Sequence, residues 1–258
     1  MNWVLCLLTI GAGFLAGVIN TLAGSGSLIT LPVLIFLGLP ATVANGTNRI
    51  GVIMQNAVAG LSFRRSGVLD LRGAAILSLP AILGSLLGAQ IAVNLNEELM
   101  QRTIGVVMLA MLVVVWLRPQ RWLEGELKVL SERLNLKQIL IMFVIGVYGG
   151  FIQAGVGIFL LAGLVLGVGY DLVRANAVKI VVILIFTLFA LLIFSRNDQV
   201  DWGIGFLLSI GNMLGAWWAA RLAVNKGAAW VRQLLIVAIA LSAAYLLGLF
   251  DLLANLFA

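Results

Sequence analysis

Apolar residues fill this chain in runs of membrane-helix length, and polar residues interrupt the runs in two places that resemble one another. The runs cover roughly 2–19, 27–38, 41–63, 72–93 and 98–117, and then 138–154, 158–169, 172–195, 202–223 and 228–250. Most are long enough to cross a hydrocarbon core of ~30 Å as helices and much longer than the ~9–11 residues of a barrel strand. The second run of each set has about 12 residues, or ~18 Å as a helix, which is too short to cross alone. It is expected to be a half-helix, re-entrant or packed against a broken partner.

The two sets align without a gap over a long stretch at an offset of 131. Gly24, Gly26, Gly38, Asn45, Asp70, Gly84 and Asn94 meet Gly155, Gly157, Gly169, Asn176, Asp201, Gly215 and Asn225. Upstream of the interruption the offset is 133 and pairs Gly13, Gly17 and Asn20 with Gly146, Gly150 and Gln153. Hydrophobic composition alone does not reproduce glycine and polar positions in this way, so the chain is read as an internal duplication. The expected organisation is a first membrane repeat over 1–117, a linker over 118–137 and a second membrane repeat over 138–258.

The linker is the most charged part of the chain. Leu123, Leu127, Leu130 and Leu134 recur there at helical spacing among Glu124, Glu126, Lys128, Glu132 and Arg133, which predicts an amphipathic helix on the membrane surface. Its basic residues place it in the cytoplasm. Working outward from there, an odd number of crossings per half puts Arg64, Arg65, Arg72, Arg221, Lys226 and Arg232 inside, and Glu97, Glu98, Arg196, Asp198 and Asp201 outside. An even number would put the Arg221 to Arg232 cluster outside, against the positive-inside tendency. The predicted fold is therefore an all-α polytopic membrane protein of two inverted five-segment repeats, each with a broken or re-entrant helix hairpin, and with both termini outside.

Composition agrees: 62% of residues are hydrophobic and 10% charged, against about 45–50% and 25% in soluble domains. The net charge of +6 belongs to short loops between apolar runs, so it is an orientation signal and no nucleic-acid partner is expected. The single cysteine, Cys6, forms no disulfide framework and reads as a small buried hydrophobe. With no histidine, no metal-ligand cluster, no Walker motif and no nucleophile–base pair, the chain is expected to be no enzyme and to need no cofactor or metal.

Arg49 lies about eight residues into its membrane helix, ~12 Å deep. Lys179 is equally deep in the equivalent helix, aligned one position away. A cation at that depth costs at least ~2.5–3.5 kcal/mol on insertion scales, so it faces a cavity or a partner. All ten acids fall in loops, at helix ends or near the C-terminus, and none is embedded to neutralise these two. The favoured explanation is an anionic substrate; the alternative is satisfaction by backbone carbonyls and water.

The interruptions point the same way. Gly24, Ser25, Gly26 and Ser27, and in the second half Gly155 and Gly157, each precede a half-helix, so free N–H groups and a positive dipole end lie inside the bilayer. Secondary transporters bind substrate at such breaks. Asn45 shares a helix face with Arg49, and Asn176 with Lys179; Asn48 adds polarity, and Asn20, Thr21 and Gln153 stand at the break entrances. Gly13, Gly17, Gly84 and Gly88 read as packing glycines, and Asp70 and Asp201 as helix N-caps.

Asn20 to Ser27, Leu31-Pro32, Gly38-Leu39-Pro40, Ala44 to Arg49 and Arg64-Arg65-Ser66-Gly67, followed by Gln153 to Gly157 and Ala175 to Lys179, resemble the TauE/SafE family of sulfite and sulfonate permeases over nearly the whole chain. The resemblance implies transport, often export, of sulfite, sulfoacetate or related organosulfur anions across a bacterial inner membrane. The residues themselves supply only the anion; sulfur comes from the family. The expected partners are a small anionic substrate and the lipid bilayer, and a homo-oligomer is compatible with the sequence. Alternating access with the anion between the repeats is the expected mechanism, beside an anion channel or uniporter and a membrane assembly component without transport. Proton, sodium or no coupling stay open.

Overall fold

The computed structural model describes residues 3–117 and 134–222. The expected amphipathic linker helix, apart from its last residues, lies outside the described residues, as do the tenth apolar run and both termini. The described residues are helical throughout, without strands: α1 Trp3–Ala23, α2 Ser27–Phe36, α3 Ala41–Arg65, α4 Leu71–Val93, α5 Glu97–Leu117, α6 Leu136–Phe151, α7 Val156–Ala162, α8 Leu172–Arg196 and α9 Trp202–Leu222. Four of them, α1, α4, α8 and α9, are long and apolar enough to cross a membrane. α3 has 25 residues, but its buried Asn45, Thr47, Asn48, Arg49, Gln55 and Asn56 make it the polar helix of the set. The two short runs are short in the structure as well: α2 has 10 residues, and the 7 residues of α7 continue into a π-helical turn, Gly163–Val168.

Backbone geometry repeats at the sequence offset. Among the described residues, positive φ occurs at Gly24 (77°), Gly38 (94°) and Gly67 (72°), and 131 positions later at Gly155 (72°), Gly169 (96°) and Asp198 (55°). Gly24 directly follows the last residue of α1 and Gly155 is the N-cap of α7, each in a left-handed conformation that costs glycine little and L side chains more.

Glycine seams set the packing. A Cβ on Gly13 or Gly17 would strike the backbone of α9 at Leu208 or Asn212, and one on Gly211 or Gly215 the backbone of α1 at Ile10 or Phe14, so α1 and α9 run parallel in close contact. Gly84 and Gly88 meet Phe143 and Val147 in the same way, while Gly146 and Gly150 meet Ala81 and Ser85; α4 and α6 are therefore parallel too. The packing reading of Gly13, Gly17, Gly84 and Gly88 is what the structure shows. α3 runs antiparallel to α8, with Gly60 beside Ile180 and Val181 and Gly46 beside Phe194.

Loop contacts define two ends. At one, Tyr170 donates to Asp70 (2.5 Å), and Gln138 Nε2 donates to the Gly167 carbonyl (3.4 Å). Burial, then the bond to Asp70, pushes the Tyr170 hydroxyl above its usual range. At the other, Glu97 accepts from the backbone N–H groups of Ala41 and Thr42, and Gln199 Nε2 donates to the Val93 carbonyl (3.0 Å). Asp70 and Asp201 cap their helices as expected, accepting from Gly73 (2.8 Å) and Ile204 (2.9 Å).

Candidate functional site: two cations at two helix breaks

α1 and α6 both end inside the protein, and the breaks that follow them touch. The Gly157 N–H donates to the Gly24 carbonyl (3.1 Å), and a Cβ on either glycine would strike the other's backbone. Only a pair of glycines permits this approach. A helix that stops in a buried place leaves last-turn carbonyls without intrahelical partners, and these must be met by donors from elsewhere.

α3 and α8 supply the donors. Arg49 is fully buried (0% exposed). Its Nη1 donates to the Gly149 carbonyl (3.1 Å) and to Gln153 Oε1 (3.0 Å), and its Nη2 to the Gly150 carbonyl (2.6 Å). Phe194 of α8 lies under the guanidinium, 4.4 Å from ring centroid to Cζ. Arg49 thus sits at the negative end of the α6 dipole, where a cation is favoured, with an aromatic face against it. Asn45, one turn earlier, donates to the Phe151 carbonyl (2.8 Å) and so completes the capping of α6 without touching Arg49.

Lys179 (1% exposed) does the corresponding work at α1. Its Nζ donates to Asn176 Oδ1 (2.6 Å) and to the Asn20 carbonyl (3.5 Å), and Asn176 Nδ2 donates to the Thr21 carbonyl (3.3 Å). The amide therefore touches its cation in the second half only. The two cations attach to the ends of different helices, with the Gly24–Gly157 contact at the junction of the breaks.

The remaining predicted positions gather around these ends. Asn20 Oδ1 accepts from the Gly26 N–H (3.4 Å), tying the α1 end to the α2 start. Asn48 donates to Ser27 Oγ (3.0 Å) and accepts from Thr30 Oγ1 (2.5 Å). Gln153 Nε2 donates to Thr187 Oγ1 (3.4 Å). Ser25 is fully buried, and its Oγ has no partner. Gly155 packs on the Met111 side chain. Sequence reasoning missed Phe194, Thr187 and Tyr148, whose hydroxyl donates to the Ala154 carbonyl in the second break (2.6 Å). The repeat offset hinted at two of these, by pairing Phe194 with Phe63 and Thr187 with Asn56; nothing in the sequence marked Tyr148.

The acids among the described residues stay at helix ends. Asp70, Glu97, Asp171 and Asp201 accept from N-terminal backbone amides, Glu98 pairs with exposed Arg102, and Asp198 lies in the turn after α8.

Comparison with known proteins places this architecture. The chain is 28% identical over 225 residues to a probable membrane transporter protein of Haemophilus influenzae, covering 87% of this chain and 88% of that protein. It is 29% identical over 227 residues to the probable membrane transporter protein ORF9 of Sinorhizobium, covering 88% and 86%. It is 26% identical over 234 residues to the probable membrane transporter protein YfcA of Escherichia coli K12, covering 90% and 86%. No solved structure matches the chain. The model of the family described as sulfite exporter TauE/SafE matches residues 9–246, and the chain belongs to that family of membrane transporters.

Proposed function

We propose that this chain is a secondary transporter of small organosulfur anions, sulfite, sulfoacetate or other sulfonates, exporting them across a bacterial inner membrane. The observation that carries the anion is the burial of Arg49 and Lys179, which donate to carbonyl and amide oxygens at the two breaks, while the described acids stay at helix ends. Carbonyl and amide dipoles solvate a cation without cancelling its charge, so the junction of the breaks keeps a positive potential in a low-dielectric setting. Sulfur is supported by the family description; the relatives' names go no further than membrane transporter.

The two halves act as inverted repeats with re-entrant hairpins α1–α2 and α6–α7. The parallel α1–α9 and α4–α6 seams and the antiparallel α3–α8 pair support this, because together they set each helix against the direction of its equivalent. The end holding Arg64, Arg65, Arg72, Lys137 and Arg174 faces the cytoplasm by the positive-inside tendency, which leaves both termini outside. Rocking of one half against the other around the shared breaks exposes the anion to each side in turn.

Sulfite flux in proteoliposomes tests the reading. Replacing Arg49 and Lys179 together by glutamine is expected to lower flux at least about tenfold, the equivalent of ~1.4 kcal/mol. Unchanged flux in the double variant overturns it.

A further inference from the structure

A groove of about 500 Å³ runs along α6, between it and the π-helical turn that follows α7. Ile141, Val144 and Ile145 line one wall, and Phe159, Gly163 and Gly167 the other. The two glycines keep that second wall low, since a Cβ on them would come within 3.0 Å of Ile145 and 3.1 Å of Ile141. Lys137, exposed in the first turn of α6, stands at one end. Tyr148 closes the other, its ring edge-on to Phe159 (5.1 Å between centroids) and its hydroxyl donating to the Ala154 carbonyl of the second break.

The length and the charge of the groove both bear on its occupant. Eleven residues of helix separate Lys137 from Tyr148, ~16 Å at about 1.5 Å per residue. One leaflet of a ~30 Å hydrocarbon core is about 15 Å deep, so a single acyl chain spans the groove from mouth to floor. The ion pairs among the described residues, Arg102–Glu98 and Arg174–Asp171, do not engage Lys137. Its ammonium lies on the end that holds Arg64, Arg65, Arg72 and Arg174, which the positive-inside tendency puts at the anionic cytoplasmic leaflet. A lysine there lays its stem on apolar surface and offers its head to a phosphate. The first half lacks these features: at the repeat offsets Val4, Leu15, Pro32 and Phe36 replace Lys137, Tyr148, Gly163 and Gly167, and Phe36 is exposed.

We propose that this groove seats one acyl chain of an anionic phospholipid of the cytoplasmic leaflet, with the headgroup phosphate on Lys137 and the chain end against Tyr148 and Phe159. Two demands fix the ligand class, an anionic head and an apolar tail of leaflet length. A free phosphate meets only the first, and a neutral lipid only the second. Because Tyr148 both floors the groove and donates to Ala154, a seated chain packs directly on a residue that holds the second break. The inference rests on the membrane orientation given above and not on the transported anion.

Melting temperatures of the full chain in detergent test it. Phosphatidylglycerol is expected to raise the wild-type value by about 3 °C or more, phosphatidylcholine by less than half as much, and glycerol 3-phosphate, a head without chains, not at all. Lys137→Gln is expected to bring the phosphatidylglycerol increment down to that of phosphatidylcholine. Val144→Trp, which fills the groove from its exposed wall, is expected to abolish both increments. Arg65→Gln, at an exposed basic residue of the same end, is expected to keep them. Equal increments from the two lipids, an increment from glycerol 3-phosphate, full increments in Val144→Trp, or a loss in Arg65→Gln as large as in Lys137→Gln overturns the inference. So does a wild type without a lipid increment; if Val144→Trp then lowers the melting temperature or the mass of the particle, the groove holds a protein segment or a second copy instead. Sulfite plays no part in these measurements, so a failed lipid site and a failed anion assignment are told apart.

Discussion

A guanidinium suits the end of α6 because two adjacent carbonyls, Gly149 and Gly150, point at one place, and a forked donor meets both. An ammonium suits the end of α1, where it donates to an amide oxygen and a carbonyl. This difference fits the halves not having kept the same residue. Asn45 is the supporting donor on the Arg49 side. Asn45→Leu removes the hydrogen bond to the buried Phe151 carbonyl and is expected to destabilise the protein by ~1–3 kcal/mol, read as a lower melting temperature in detergent. The sequence showed that Arg49 and Lys179 are buried without acids, since that needs only their depth and the positions of Asp and Glu. It left open carbonyls against an anion, because Arg49's partners lie 100 and more residues away and carry no local pattern. The structure gives the terminal nitrogens of Arg49 their carbonyls and leaves unpaired donors at Arg49 Nε, Ser25 Oγ, Gln55 Nε2 and Asn56 Nδ2.

At the scale of elements, small residues decide which helices can touch. Gly88 lies where a Cβ would meet the Val147 carbonyl, whereas Gly11 faces open space. Gly88→Leu is therefore expected to force α4 and α6 apart, at a cost of ~1–3 kcal/mol or more. Gly11→Ala, in the middle of α1, is expected to be neutral or to stabilise by up to ~1 kcal/mol through helix propensity. Melting temperatures of the pair check both, and equal effects would refute the seam. Helix positions were legible because hydrophobic run length and the capping acids mark them directly. The π-helical turn over Gly163–Val168 was not, since its apolar sequence reads equally well as ordinary helix. Nor did periodicity foresee that Asn176 touches Lys179 while Asn45 bypasses Arg49: both spacings allow contact, and the neighbouring helix end chooses.

At the scale of the molecule, the reciprocal seams have a further consequence. The first helix of each half lies on the fourth helix of the other, α1 on α9 and α6 on α4, so the surface one half offers is the surface it receives. That is the geometry of an isologous contact, in which a patch and its partner are used twice over. Such a contact depends on the matched surfaces and not on the peptide bond that links them. Residues 1–133 and 134–258, made as two separate polypeptides in one cell, are expected to find each other and co-purify through a tag on either one. Failure to co-purify, with both pieces present in the membrane, would show that covalent linkage is required. On the proposed inverted-repeat reading the two halves meet as the subunits of a dimer would, one carrying the fork of arginine and the other the reach of lysine.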